Sequence, residues 1–281
     1  MVEKSLVRRI FPHIVLIVAI FIIVFPIWVV FVGSTQRLAD ILDAPMSILP
    51  GDQFSINYGR AFFEGAKNLG ANAAIMVQNS TIMALGISVG KIIISLMAAF
   101  AIVYFDFALK DFIFWSIFIT LMLPVEVRIM PTYKVISDLG MLNSYWGLIL
   151  PMTVSATAVF LFRQFFKSVP REIAEAAAID GASAMNFFRH ILIPMTRTPI
   201  ASMFVIQFIY GWNQYLWPLL ITTKEKYYTL LIGINRMLAV GDAQAEWQII
   251  LATTMLALIP PVIVVVAMQK QFVSGMTETE K

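Results

Sequence analysis

The stretch IFPHIVLIVAIFIIVFPIWVVFV, residues Ile10–Val32, decides the fold class of this chain. It contains no Asp, Glu, Lys or Arg, and as a helix it is long enough to cross roughly 30 Å of hydrocarbon. It is too long for the apolar core of a signal peptide, and no A-x-A-like cleavage site follows it. We therefore predict a retained transmembrane helix that starts in the cytoplasm.

The composition of the whole chain also indicates a membrane protein. Of the 281 residues, 59% are hydrophobic and 13% are charged, and the mean hydropathy is +0.82. Soluble domains carry roughly 45–50% apolar and roughly 25% charged residues, so an aqueous globule could not cover this much apolar surface. The absence of cysteine excludes thiolate chemistry and disulfides, and two histidines are too few for a histidine-rich metal centre. The basic residues are scattered, which argues against a nucleic-acid partner.

Six apolar stretches are candidates for transmembrane helices, and we expect an all-α integral membrane protein. Lipid admits only helices or closed barrels, and runs of this length without alternation are helices. The distribution of Lys and Arg between the alternate connecting segments favours cytoplasmic N- and C-termini. The predicted spans are Ile10–Val32, Ala74–Tyr104, Phe112–Met130, Tyr145–Phe162, Ile200–Ile221 and Ile249–Met268.

The connection between the fourth and fifth spans predicts two short helices. It reads RQFFKSVPREIAEAAAIDGASAMNFFRHILIPMTRTP, residues 163–199. Ser168 is a candidate cap for a first helix that ends near Asp180, because Gly181 readily adopts a positive φ. Ser183 is predicted to cap a second helix that ends before Pro194. The alanine-rich first helix suits docking of a cytoplasmic partner, and the alternative is a helix that rests on lipid headgroups.

The motif Glu175-Ala176-Ala177, three residues, Gly181, nine residues, then Ile191-x-Ile193-Pro194 resembles the EAA loop of permeases from bacterial ATP-binding-cassette (ABC) importers. That family usually has leucine at the position of Ile193. In the family, the loop forms a coupling helix that sits in a cleft of the ATPase subunit. The resemblance implies an ATPase-docking role for Glu175, Ala176, Ala177, Asp180, Gly181, Ile191 and Pro194.

The similarity extends over nearly the whole chain. The six-span layout and the long first outer loop resemble sugar permeases of the maltose-transporter type, and three stretches (residues 90–105, 118–132 and 208–222) resemble the permeases of sn-glycerol-3-phosphate importers more closely. The resemblance implies a first helix with a long periplasmic loop in residues 1–73, a permease core of five transmembrane helices in residues 74–272, and a cytoplasmic tail in residues 273–281.

The resemblance also implies the partners of the chain. They are a homologous second permease subunit, two copies of a cytoplasmic ATPase subunit that bind ATP and Mg, and a periplasmic substrate-binding protein, all at the bacterial inner membrane. No cofactor is expected on this chain.

Four polar residues within the spans are candidates for the translocation path. A lysine in a span is costly unless it faces a cavity or a partner charge, so Lys91 could attract a phosphate ester. Alternatively, Lys91 snorkels to the headgroups or pairs with the other permease. Gln207, Asn213 and Gln214 lie among aromatic residues, which suits the hydroxyls of a polyol, and interhelical hydrogen bonding is the alternative.

Two charged residues lie between the prolines that close the third span. Pro124 and Pro131 are expected to break the helix on either side of Glu126 and Arg128. These two residues could form a local ion pair or contact a docked binding protein, and a structural role is favoured.

The sequence carries no recognisable catalytic constellation, so the chain is not expected to be an enzyme. The segment Gly86–Lys91 has three residues between its glycines and isoleucine after the lysine, so it is not a phosphate-binding loop for nucleotides. An ion-coupled secondary transporter would favour carboxylates within the spans, and these are almost absent. A disaccharide or another polyol remains an alternative cargo for the same permease role.

Overall fold

The computed structural model describes residues 6–120, 125–239 and 244–277, and the described residues form helices and connecting loops without a β-strand. In chain order the α-helices are α1 Leu6–Ser34, α2 Leu38–Leu42, α3 Phe54–Phe63, α4 Ala73–Tyr104, α5 Lys110–Ile119, α6 Val125–Asp138, α7 Tyr145–Ile149, α8 Ala156–Ser168, α9 Arg171–Ile179, α10 Ala184–Phe187, α11 Ile193–Met195, α12 Arg197–Trp212, α13 Leu216–Ile221, α14 Leu230–Leu238 and α15 Trp247–Thr277. Short 3-10 turns occupy Leu150–Met152 and Glu225–Tyr227, and a π-helical stretch covers Phe188–Leu192.

Within the part of the chain that the structure describes, three helices are apolar and long enough to cross a membrane, and they match the predicted first, second and sixth spans. They are Ile10–Ser34 of α1, Ala73–Tyr104 and Trp247–Lys270 of α15. The count rises to five if each of two bent helix pairs is one span. The first pair, Tyr145–Met152 with Ala156–Ser168, bends by 49° and contains the predicted fourth span. The second pair, Ala184–Met195 with Arg197–Trp212, bends by 74°.

The predicted fifth span is divided between two helices. Ile200–Ile221 falls on α12 and α13, which are separated at residues 213–215. The predicted third span falls on α5 and α6 and includes residues 121–124, outside the described residues. The total of six spans therefore stays a prediction.

Two predicted helix ends are wrong, both at prolines. α6 continues through Pro131 to Asp138, and the second helix of the loop that is predicted to be cytoplasmic continues through Pro194 to Met195. A proline removes one backbone donor but does not have to end a helix when its surroundings compensate. Before Pro194, the π-helical stretch changes the hydrogen-bond register of the helix. Ser168 is not a cap either, because it ends α8 and its hydroxyl donates to the carbonyl of Phe165 at 2.7 Å.

The chain divides into two units, of which the first comprises Met1–Ile75 and Gly233–Leu258. In this unit α1 leaves its apolar side chains exposed along residues 10–27, a surface that suits lipid or another protein chain. The side-chain amide of Asn57 in α3 donates to the carbonyls of Ser34 and Gln36, both at 2.9 Å. These bonds hold α3 against the chain that leaves α1.

An ion pair joins distant parts of the sequence in the first unit. Arg60 Nη2 lies 2.9 Å from Glu246 Oε1, and the other carboxylate oxygen accepts the backbone N–H of Lys67 at 2.9 Å. Burial opposes ionisation of this carboxyl, but the hydrogen bonds from Lys67 and Arg60 outweigh it, and the pKa of Glu246 lies below its ordinary 4.5. The carboxylate therefore contributes to the stability of the unit in its charged form.

The second unit comprises Met76–Ile232 and Ile259–Lys281, and two apolar clusters among its described residues hold most of its helices together, besides a small third cluster at Ile102, Phe114 and Val159. The larger cluster joins α4, α8, α9, α10, the π-helical stretch and α12, and its largest members are Phe100, Phe162, Phe166, Phe187, Phe188, Leu192 and Met203. The smaller one joins α4, α6, α7 and α13 through Met83, Ile87, Ile129, Ile136, Leu148, Trp217 and Ile221. Burial of these side chains fixes the positions of the helices that bear the polar sites.

Small residues allow other helices to approach α4 closely. A Cβ atom added at Gly86 would lie 2.6 Å from Ile149, and one added at Gly90 would lie 2.6 Å from Thr153. A Cβ added at Gly211 of α12 would lie 2.9 Å from the Cα of Ala84. Of these contacts, the one at Gly211 is with a backbone atom and needs glycine, as is common between membrane helices, whereas those at Gly86 and Gly90 are with side-chain atoms. The three contacts place the middle of α4 against α12 and against the break between α7 and α8.

Candidate functional site

The cytoplasmic loop predicted from the sequence folds as a short exposed helix, a turn and a second helix. The first helix, α9, ends at Ile179 with Asp180 as its C-terminal cap, and Gly181 follows with φ +79°. The hydroxyl of Ser183 accepts the N–H of Asn186 at 3.3 Å and so caps α10. These local predictions are confirmed, because caps and positive φ depend on residues close in sequence.

One face of α9 is packed against the apolar interior of the second unit. Ala177 is buried, and Ile173 and Ala174 are half-buried against the larger cluster, which includes Phe166 and Phe187. The small side chains of Ala174 and Ala177 let the helix backbone lie close to the aromatic rings beneath it. This packing places α9 directly against α8 and against the segment that leads into α12.

The opposite face of α9 is open. Glu175, Ala176 and Asp180 are exposed, and Ile179 is 86% exposed, unusually high for an apolar side chain. Ile179 is a candidate contact residue that sequence reasoning missed, although its position four residues after Glu175 already places it on the same face. Of the other predicted docking residues, Gly181 and Pro194 are exposed, Ile191 is half-buried, and Ala177 faces the chain's own core.

A second candidate site is a cavity of about 220 Å³ in the second unit. Its walls come from α4, the end of α5, α6, the break before α8, and α12. The lining residues are Lys91, Thr120, Arg128, Pro151, Met152, Val154, Ser155, Ala156, Thr157, Gln207 and Tyr210. This is smaller than the roughly 300–1,000 Å³ of sites for drug-sized ligands, so the cavity suits a small polar group.

Lys91 is buried, with 5% of its surface exposed, and its ammonium group has two close contacts. Nζ donates to Oε1 of Gln207 at 3.0 Å and lies 3.6 Å from the centre of the Tyr210 ring. The amide nitrogen of Gln207 contacts Sδ of Met203 at 3.3 Å, which fixes the orientation of the amide. The ammonium group of Lys91 therefore makes its contacts with α12, inside the second unit.

The same cavity meets the N-terminal end of α8. Ser155 is the N-cap of this helix and its hydroxyl accepts the N–H of Ala158 at 3.2 Å, while Ser95 donates to the Ser155 carbonyl at 3.4 Å. Residues 154–157 line the cavity, so the first turn of α8 forms part of its wall. The first backbone N–H groups of a helix have no acceptor within the helix and carry a partial positive charge.

The structure brings together only some of the residues predicted for the translocation path. Lys91 and Gln207 are in contact, but Asn213 is an exposed C-cap of α12, and Gln214 donates to the carbonyl of Tyr210 at 3.1 Å. Neither Asn213 nor Gln214 lines the cavity. Arg128 does line it, which sequence reasoning missed. The predicted pair of Arg128 with Glu126 lies outside the described residues, since the Glu126 side chain is not among them.

Comparison with known proteins identifies the family. The profile described as "binding-protein-dependent transport system inner membrane component" matches residues 91–278. The chain belongs to this family. It is 52% identical to the sn-glycerol-3-phosphate transport system permease protein UgpE of Brucella melitensis and 51% identical to the UgpE proteins of Agrobacterium fabrum and Salmonella typhi, each over 100% of both chains.

A solved structure has the same fold. It is the crystal structure of a bacterial ABC transporter involved in the import of the acidic polysaccharide alginate, which aligns with a TM-score of 0.82 over 97% of this chain and 100% of the other. The sequence identity is 20%, so this likeness concerns the fold alone. The family match makes the chain an ABC-type transport permease of the inner membrane, as the EAA motif indicated.

Proposed function

We propose that this chain is a permease subunit of a binding-protein-dependent ABC importer, and that it forms half of the translocation pathway for sn-glycerol-3-phosphate or its diesters. The assignment of the substrate rests on sequence identity. About half of all residues, over the full length, are identical in permeases named for sn-glycerol-3-phosphate transport. The two cations that line the cavity, Lys91 and Arg128, are consistent with an anionic cargo.

The exposed face of α9 would dock into the ATPase subunit. Glu175 and Asp180 offer carboxylates to basic groups, Ala176 allows close backbone approach, and Ile179 supplies an apolar side chain for a pocket in the partner. Burial of the exposed part of Ile179 would itself favour docking, because it removes apolar surface from water.

Coupling would follow from the other face of this helix. Ala177 and its neighbours are packed on α8 and on the π-helical stretch, so movement of the ATPase would shift these elements as a body. Both elements belong to the unit that contains the cavity. Closure of the ATPases on ATP would in this way change the access of the cavity from one side of the membrane to the other.

The remaining components supply what this chain lacks. Two cytoplasmic ATPase subunits would bind ATP and Mg, a homologous permease would complete the pathway, and a periplasmic binding protein would deliver the substrate. The N- and C-termini would both be cytoplasmic. Residues 1–73 would form the first helix and outer loop, residues 74–272 the core, and residues 273–281 the tail.

The docking role is tested by reversing the charge of Glu175. In cells that lack other glycerol-phosphate uptake systems, Glu175→Lys is expected to leave the chain inserted in the membrane and to abolish uptake of labelled sn-glycerol-3-phosphate, with loss of the ATPase from pull-downs. Asp111→Lys, the same charge change at an exposed residue of α5, is the matched control and should retain both. Normal uptake by Glu175→Lys would refute the assignment of α9.

A further inference from the structure

We propose that the cavity beside Lys91 is a binding site for the phosphate group of a phosphate monoester, held by Lys91, Arg128 and the N-terminal turn of α8. This inference rests on the proposed function, because it assigns to this chain the recognition of the anionic part of the cargo.

The buried ammonium of Lys91 retains capacity for an anion. A lysine has three N–H donors, and the two contacts in the structure are the Gln207 amide oxygen and the face of the Tyr210 ring. Neither contact carries a full negative charge. Burial of an ammonium without a counter-charge is costly in a membrane protein. An anion that enters the cavity would supply this counter-charge, and the low dielectric constant around Lys91 strengthens the attraction between them.

Arg128 adds a second cation to the same wall. None of the ion pairs between described side chains includes Lys91 or Arg128. Their acidic members are Asp52, Glu64, Asp106, Asp138 and Glu246. Two cations on one small cavity repel each other, and a shared anion relieves that repulsion. The planar guanidinium can hold two phosphate oxygens at once, whereas Lys91 binds as a point charge.

The break before α8 supplies a third favourable element. Residues 154–157 place the N-terminal end of a 13-residue helix at the cavity wall, and the Ser155 cap leaves the N–H groups of Ala156 and Thr157 for an outside acceptor. Broken helices whose N-termini point at anionic substrate groups are a recurrent arrangement in transporters. Here the helix end is an addition to two side-chain cations rather than a site in itself.

Binding is measured on the assembled complex of permeases and ATPases in maltoside detergent, without the binding protein. Line broadening in ³¹P spectra detects weak binding of sn-glycerol-3-phosphate. Wild type should broaden the line, inorganic phosphate should compete, and glycerol should not. Arg128→Gln and Lys91→Gln should each raise the dissociation constant by roughly 10- to 100-fold, since each removes a charge-assisted bond. Lys134→Gln, on the same helix as Arg128 but paired with Asp138, is the control.

Transport in cells separates this inference from the proposed function. Lys91→Gln and Arg128→Gln should lower the maximal uptake rate. The stimulation of ATP hydrolysis by the binding protein should stay unchanged in both variants. Arg128 is exposed, so its variant keeps the test valid if Lys91→Gln does not assemble.

Failure of the wild type to carry sn-glycerol-3-phosphate would overturn the proposed function. Wild-type uptake combined with unchanged binding and uptake in Arg128→Gln would overturn the phosphate site alone. Loss of the signal on addition of phosphatidylglycerol would assign the cavity to lipid headgroups and would also overturn it.

Discussion

The close approach of α12 to α4 predicts that a single methyl group added at Gly211 destabilises the fold. In Gly211→Ala the new Cβ would lie 2.9 Å from the Cα of Ala84, which is fully buried. Because the obstructing atom belongs to the backbone, the helices must separate. Overpacking of this kind costs about 1–3 kcal/mol, and the better helix propensity of alanine returns up to about 1 kcal/mol. We expect a net loss of about 1 kcal/mol.

Gly59→Ala is the matched control for this substitution. Gly59 lies within α3, and a Cβ atom there meets no heavy atom within 4 Å. Without a steric penalty, alanine should raise stability by about 0.4–1 kcal/mol. The two variants should therefore differ by about 2 kcal/mol, which corresponds to roughly 4–8 °C in melting temperature for a chain of this size.

The assay is size-exclusion chromatography of the detergent-solubilised chain after heating, which gives the temperature at which half of the monodisperse peak is lost. Gly211→Ala should melt below wild type and Gly59→Ala at or above it. Addition of Ala84→Gly should not rescue Gly211→Ala, because the Cα atom remains. Equal midpoints for the two alanine variants, or full rescue by Ala84→Gly, would refute the proposed helix contact.

Two other predictions concern polar contacts between distant parts of the sequence. Glu246→Gln should lower stability at pH 7 by about 1–2 kcal/mol, through loss of the charged bond to Arg60. The pKa of Glu246 is lowered in the folded state, so this contribution to stability is present above pH 4.5 and disappears as the pH falls through the folded pKa. The melting temperatures of the variant and the wild type should therefore converge in acid. A difference that stays constant with pH would contradict the assignment. Asn79→Leu should cost about 3 kcal/mol, since Asn79 donates to the carbonyls of Lys226 and Tyr228 and accepts the hydroxyl of Tyr145. Tyr145→Phe removes one of these bonds and should cost about 1 kcal/mol, and equal melting temperatures for the two variants would show that the carbonyl contacts contribute nothing.

Features that depend on neighbouring residues could be predicted from the sequence. The span of α1 follows from the length of one apolar run, and the end of α9 follows from Gly181 and Ser183. The EAA motif in the same loop led to the family that the whole-chain comparisons identify. These signals are local because caps, turns and hydrophobic length act over a few residues.

Features that depend on tertiary contacts could not be predicted. The ion pair of Arg60 with Glu246 joins residues 186 positions apart. The sequence predicts a proline-bounded outer segment around Arg128, but α6 continues through Pro131, and Arg128 lines the cavity. The interruption of the fourth span at residues 153–155 was hidden because hydropathy averages over a break of this length.

Uptake of labelled sn-glycerol-3-phosphate tests the central claim most directly. It is measured in phosphate-starved cells from which other glycerol-phosphate uptake systems have been removed, with and without the gene for this chain. We expect deletion to abolish uptake and a plasmid-borne copy to restore it. Unchanged uptake in the deletion strain would contradict the assigned substrate and leave a disaccharide or another polyol as the cargo of this permease.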